Sequence, residues 1–153
     1  IRDQVKGANV GVGTVCNASE FDAAVDAGAN FVVSPGQSDA LFERALLTNI
    51  PFLPGAVTAT EVMTAKEAGF NVLKFFPAST SGGAAAIKAF AGPFTDLQFV
   101  ATGGINLENA GSYLSLFNVR AVGGSWLTPA DAIQNGQWEQ ITQIAREASQ
   151  LGA

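Results

Sequence analysis

Lys74 stands in a run that is otherwise apolar or proline, Val72-Leu73-Lys74-Phe75-Phe76-Pro77. In an extended strand Val72, Lys74 and Phe76 share one face and Leu73 and Phe75 the other, so the amine sits among hydrophobes whichever face it occupies. Desolvation disfavours the ammonium form and lowers a lysine pKa. The product is the neutral amine that attacks a carbonyl to form a Schiff base. The alternative is a lysine at a strand end that snorkels its charge to water. The other lysines, Lys6, Lys66 and Lys88, fall at the terminus or on polar helix faces and make poor nucleophiles.

Two Gly-Gly pairs follow later apolar runs, in Thr102-Gly103-Gly104-Ile105-Asn106 and Gly123-Gly124-Ser125-Trp126. Backbone without side chains lets N–H groups approach an anion, and barrels place their usual phosphate site on the loops after the last two strands. Ser125 adds a hydroxyl. Each pair taken alone could instead make a tight strand-to-helix turn. Two consecutive pairs favour a cradle.

Other chemistries are excluded by composition. The chain of 153 residues has no histidine and one cysteine, Cys16. The usual zinc sets, an internal disulfide and Ser/His or Cys/His nucleophiles are therefore ruled out. A net charge of -5, with eight dispersed Lys and Arg, argues against nucleic-acid binding and leaves phosphate recognition to backbone amides. No run approaches the roughly 18 apolar residues of a membrane span, and the opening Ile1-Arg2-Asp3-Gln4-Val5-Lys6 does not resemble a signal peptide. A cytoplasmic location is the expectation. Schiff-base cleavage also needs a general acid/base. None of the thirteen carboxylates falls at the C-terminal end of a predicted strand, so that group is expected from outside this chain.

The elements that position these residues alternate. Predicted strands are Asn9 to Thr14, Phe31 to Ser34, Pro51 to Pro54, Val72 to Phe75, Phe99 to Thr102 and Val119 to Gly123. Amphipathic helices are predicted at Ala18 to Ala27, Asp39 to Thr48, Thr58 to Ala68, Gly83 to Phe90, Leu107 to Phe117 and Gln137 to Leu151. Asn17, Ser38, Thr58 and Asn106 are candidate N-caps, and Gly28 and Gly69 candidate helix stops. Apolar strands alternating with helices indicate an α/β fold with a parallel sheet and no linker dividing it. Six βα units do not close an eight-stranded barrel of about 250 residues, and an open six-stranded sheet is the alternative.

The motifs Gly11-Val12-Gly13-Thr14-Val15, Ser34-Pro35-Gly36, Pro54-Gly55 with Thr58, Lys74-Phe75-Phe76-Pro77-Ala78, Gly92-Pro93-Phe94, Thr102-Gly103-Gly104-Ile105 and Gly123-Gly124-Ser125-Trp126-Leu127 occur in the order and spacing of one family. From about Val10 onward the chain resembles the 2-keto-3-deoxy-6-phosphogluconate (KDPG) and 4-hydroxy-2-oxoglutarate (KHG) aldolases, class I enzymes. The resemblance implies a (β/α)8 TIM barrel with about six of eight βα units in this chain, a single domain forming the C-terminal portion of the barrel. It also implies a homotrimer without metal or organic cofactor, cleaving KDPG, a phosphorylated keto acid, to pyruvate and glyceraldehyde 3-phosphate. Lys74 is then the Schiff-base lysine, Thr14 and Pro35 line the pyruvate pocket, and Phe76 packs beside the imine. Thr102 contacts substrate, and Gly103, Gly104, Gly124 and Ser125 form the phosphate cradle.

In the family a glutamate base and a carboxylate-binding arginine precede the Gly-Thr-Val strand, and here that strand begins within the first dozen residues. The expectation is a chain lacking two βα units, with Ile1 to Gly7 as the tail of a helix, weakly stable and turning over little by itself. Ala59 replaces a common proline and Ser79 a frequent glutamate, neither in an assigned role. The remaining alternatives are a KHG aldolase and a non-catalytic phosphate-binding module.

Overall fold

A computed structural model describes residues 1–151. The elements are β1 (Gly11–Val12), α1 (Ala18–Asp26), β2 (Phe31–Val33), α2 (Asp39–Thr48), β3 (Phe52–Leu53), α3 (Ala59–Glu67), β4 (Val72–Phe75), α4 (Gly83–Phe90), β5 (Gln98–Thr102), α5 (Ala110–Leu114), β6 (Val119–Gly123), α6 (Ala130–Gln134) and α7 (Trp138–Ser149), with a 3-10 turn at Ser125–Leu127 before α6. The chain divides into two compact units, Ile1–Phe76 and the residues from Pro77 onward.

In the first unit β1, β2 and β3 pair in parallel, with Gly11 opposite Phe31, Val32 opposite Phe52 and Val33 opposite Leu53. A further parallel bridge joins Gly55 to Lys74 of β4. The expected parallel α/β arrangement is thus present. Its ladders are shorter than predicted, for identifiable reasons. Pro51 and Pro54 have no N–H to give, so β3 narrows to Phe52–Leu53 while both proline carbonyls accept, from Val32 and Lys74 at 2.9 and 2.8 Å. Thr14 takes a positive φ of 61° and ends the extended run after β1.

Asn17, Ser38 and Thr58 each accept from the amide three residues on, as predicted, and Gly28 and Gly69 adopt φ of 79° and 93° after their helices. The core here is aromatic. Phe42 stacks on Phe70 with centroids 5.1 Å apart, and Phe52 meets Phe21, Phe42 and Phe70 edge-on. Burying a ring such as Phe21, fully enclosed, contributes about 2 to 3 kcal/mol.

In the second unit β5 and β6 pair in parallel through Thr102 opposite Gly123, with a register shift between Phe99 and Val100. Phe90 of α4 stacks on Phe99 at 5.7 Å, and the buried Asn118 amide donates to the Ile87 carbonyl at 2.8 Å. The helix predicted over Leu107 to Phe117 is only Ala110–Leu114. Asn106 does accept from backbone amides, those of Glu108 and Asn109, but inside a turn that precedes the helix. The Asn109 side chain returns to the Asn106 amide and the Gly104 carbonyl, so local side-chain bonds displace the first helical turn. The 3-10 turn and α6 were not predicted; Pro129 opens α6, where its missing N–H costs nothing. No helix among the described residues is long and apolar enough to cross a membrane.

Candidate active site

Burial alternates along β4: Leu73 and Phe75 are fully enclosed, while Val72 and Lys74 are half-buried on the opposite face. Half-burial strips enough water from the Lys74 amine to hold it below the ordinary lysine value. Its Nζ lies 4.6 Å from the centroid of the Phe76 ring, whose negative face attracts an ammonium. The amine is thus partly enclosed yet reachable, as a nucleophile toward a carbonyl requires. Lys6, Lys66 and Lys88 are exposed.

Main-chain bonds align the neighbouring strand ends with Lys74. The Ala56 amide donates to the Lys74 carbonyl at 2.9 Å, and the Gly55 amide donates to the Gly36 carbonyl at 2.9 Å. A Cβ on Gly55 would collide with the Pro35 carbonyl, so glycine is what lets the loop after β3 press against the loop after β2. The Val15 amide donates to Val33 at 3.2 Å and ties the turn after β1 to the same row. Thr14, Pro35 and Lys74 therefore sit at the C-terminal ends of β1, β2 and β4, the last two joined through Gly55 and the first tied to β2 through Val15. Thr14 is β-branched in left-handed backbone, a conformation that costs about 1 to 2 kcal/mol and concentrates at functional turns.

Two residues that sequence reasoning did not single out complete this region. Glu61 accepts from the Val57 and Thr58 amides at 2.8 Å each, and its own amide donates to the Thr58 hydroxyl. Burial alone would raise this carboxyl, but the amide bonds and the Thr58 side chain outweigh it and hold it below the ordinary glutamate value. Gln37, in the loop after β2, donates from Nε2 to the Glu61 carbonyl at 2.9 Å. The Thr58-x-x-Glu61 spacing is a capping-box pattern and would have flagged Glu61; nothing local would have flagged Gln37.

The second unit holds the remaining candidates at the C-terminal ends of β5 and β6. Gly103 and Gly104 adopt φ of 93° and 75°, which only glycine takes without strain. A Cβ on Gly104 would collide with the Ser79 side chain, and one on Gly124 would lie 2.6 Å from the Ile105 carbonyl and inside the Trp126 ring. The two glycine loops therefore lie against each other, Gly123 touching the Thr102 methyl at 3.3 Å from its missing Cβ. Ser125 opens the 3-10 turn, exposed. The Thr102 hydroxyl is buried without a hydrogen-bond partner among the described residues, a cost of about 1 to 3 kcal/mol that a bound polar group would remove.

The fold is thus of parallel βα units, with a half-buried lysine at a strand end of the first unit and paired glycine loops at two strand ends of the second. A model of the family described as KDPG and KHG aldolase matches residues 1–144. The chain is 47% identical over 139 residues to the 2-dehydro-3-deoxy-phosphogluconate aldolase of Pseudomonas aeruginosa, covering 91% of this chain and 63% of that protein. Among solved structures, the KDPG aldolase of Legionella pneumophila, with pyruvate captured at low pH as a covalent carbinolamine, superposes with a TM-score of 0.91 at 41% identity over 93% of this chain and 69% of that one. The 2-keto-3-deoxy-6-phosphogluconate aldolase of Zymomonas mobilis ZM4 with 3-phosphoglycerate gives 0.89 and 40% over 97% and 70%. The chain belongs to the KDPG and KHG aldolase family, and spans less than two thirds of the length of its Pseudomonas relative.

Proposed function

We propose that this chain carries the Schiff-base half of a class I aldolase, built as a (β/α)8 barrel with about six of its eight βα units here. The reaction is cleavage of 2-keto-3-deoxy-6-phosphogluconate to pyruvate and glyceraldehyde 3-phosphate. The single observation that carries this is the half-buried, desolvated Lys74 amine at the end of β4.

Chemically, the neutral Nζ adds to the C2 carbonyl to give a carbinolamine, and loss of water gives the protonated imine. That imine accepts the electron pair released when the C3–C4 bond breaks, as a base takes the C4 hydroxyl proton and the aldehyde departs. Protonation of the enamine at C3 and addition of water then return pyruvate and the amine. Phe76 packs beside the imine, and Thr14 and Pro35 line the pyruvate part of the pocket. Thr102 contacts substrate through its hydroxyl, and Gly103, Gly104, Gly124 and Ser125 receive the phosphate. No residue of this chain is assigned as that base or as an arginine for the substrate carboxylate. The functional particle is a cytoplasmic homotrimer that needs no cofactor.

The pyruvate-derived carbinolamine of the Legionella relative and the 3-phosphoglycerate of the Zymomonas relative support both halves of this assignment. Competition for Lys74 tests it. Phosphorylated keto acid should protect Lys74 from borohydride trapping by pyruvate at lower concentration than 4-hydroxy-2-oxoglutarate does. The reverse order would favour 4-hydroxy-2-oxoglutarate as the substrate, and protection by neither, with no imine, a non-catalytic phosphate-binding module.

A further inference from the structure

We infer that Glu61 is a positioning residue for Lys74, acting through the segment Gly55 to Thr58, with Gln37 locking it to the loop after β2. The inference rests on the assignment of Lys74 as the imine-forming amine, and it gives a task to a carboxylate whose bonds are to the Val57 and Thr58 amides.

The connection is continuous. One carboxylate oxygen of Glu61 accepts from the Val57 and Thr58 amides at 2.8 Å, closing the turn between β3 and α3. The preceding residue, Ala56, donates its amide to the Lys74 carbonyl at 2.9 Å, and Gly55 bridges to Lys74 in parallel register. On the other side the Glu61 carbonyl holds the Gln37 side chain, two residues from Pro35. Gln37 Oε1 is buried with no partner among the described residues, so this amide forgoes one hydrogen bond of its own while making the tie. At the start of α1 the Glu20 carboxylate makes a similar bond to the Cys16 amide, beside Val15, whose own amide reaches Val33 of β2. The Glu61 turn instead continues into the backbone of β4, the strand that carries the amine, and small displacements of a reacting group slow catalysis steeply.

The test is the rate of borohydride-trapped pyruvate adduct on Lys74 as a function of pyruvate concentration. Glu61→Ala should lower the maximal trapping rate about tenfold while the half-saturating pyruvate concentration moves less than about twofold. Glu61→Gln keeps an amide-accepting oxygen and should restore most of the rate; Gln37→Ala should lower it about threefold. Ser38→Ala removes the side-chain cap of α2, whose hydroxyl accepts from the Leu41 amide of its own helix, and should lower the melting temperature without slowing trapping. Should Glu61→Ala fail to fold, Gln37→Ala read against Ser38→Ala decides the matter. Folded Glu61 and Gln37 variants that trap at the unsubstituted rate, or a Ser38 variant that slows as much as they do, would overturn the inference. An unsubstituted chain that forms no adduct overturns the aldolase assignment and this inference together, an outcome distinct from a chain that traps and variants that trap equally well.

Discussion

The strand ends of the two units are built on opposite principles. In the first, a charged side chain is placed where water is scarce: Lys74 is half-buried over Phe76, and hydrogen bonds from neighbouring loops fix the backbone around it. In the second, side chains are removed: Gly103, Gly104, Gly123 and Gly124 leave bare backbone, and the buried Thr102 hydroxyl has no hydrogen-bond partner among the described residues. A nucleophile needs a tuned pKa, which only surroundings can give. An anion site needs close approach, which only missing side chains allow. If that division is real, substitutions in one unit should separate from those in the other.

The largest effect is expected from Lys74→Met, which should abolish pyruvate trapping by about a thousandfold or more while leaving the thermal shift produced by inorganic phosphate in place. Loss of both would break the comparison. Gly104→Ala forces a Cβ into Ser79 at a φ of 75°, and should cost about 2 to 3 kcal/mol in denaturant unfolding and remove the phosphate shift. Lys74 should still be trapped by pyruvate in that variant.

Smaller effects sharpen the first unit. Thr14→Gly relieves left-handed strain of about 1 to 2 kcal/mol, partly offset by about 0.5 to 1 kcal/mol of added chain entropy. The net expectation is slightly higher stability with severalfold slower trapping, measured by melting and by adduct rate. The pH dependence follows from two shifted groups. The Lys74 value is lowered in the folded state, so the unfolded chain binds the proton more tightly there and stability rises as pH climbs from the folded value to about 10.4. Lys74→Met should lack that alkaline rise. The Glu61 value is also lowered, so its contribution is complete above about pH 4.3 and fades as pH falls through the folded value; Glu61→Gln should flatten that acid limb.

Much of this was legible in the sequence because it depends on local pattern. Val72 to Phe75 and Val119 to Gly123 are strands over the predicted residues, and the caps at Asn17, Ser38 and Thr58 form as their residue types require. The Lys74 environment followed from alternation alone. What was not legible depends on partners distant in sequence or on competing side-chain bonds. Asn106 and Asn109 shorten α5 by bonding to each other's backbone, a choice that helical periodicity does not display. Left-handed Thr14 runs against the preference of a β-branched residue, so local propensity points away from it. Gln37 meets Glu61 only because the loops after β2 and β3 are adjacent in the fold.

The most direct test of the account is peptide mass spectrometry after incubation with pyruvate and borohydride. A reduced pyruvate adduct on the peptide containing Lys74, and not on those containing Lys6, Lys66 or Lys88, is the predicted result. An unmodified Lys74 peptide, or label spread over the exposed lysines, would contradict its assignment as the Schiff-base nucleophile.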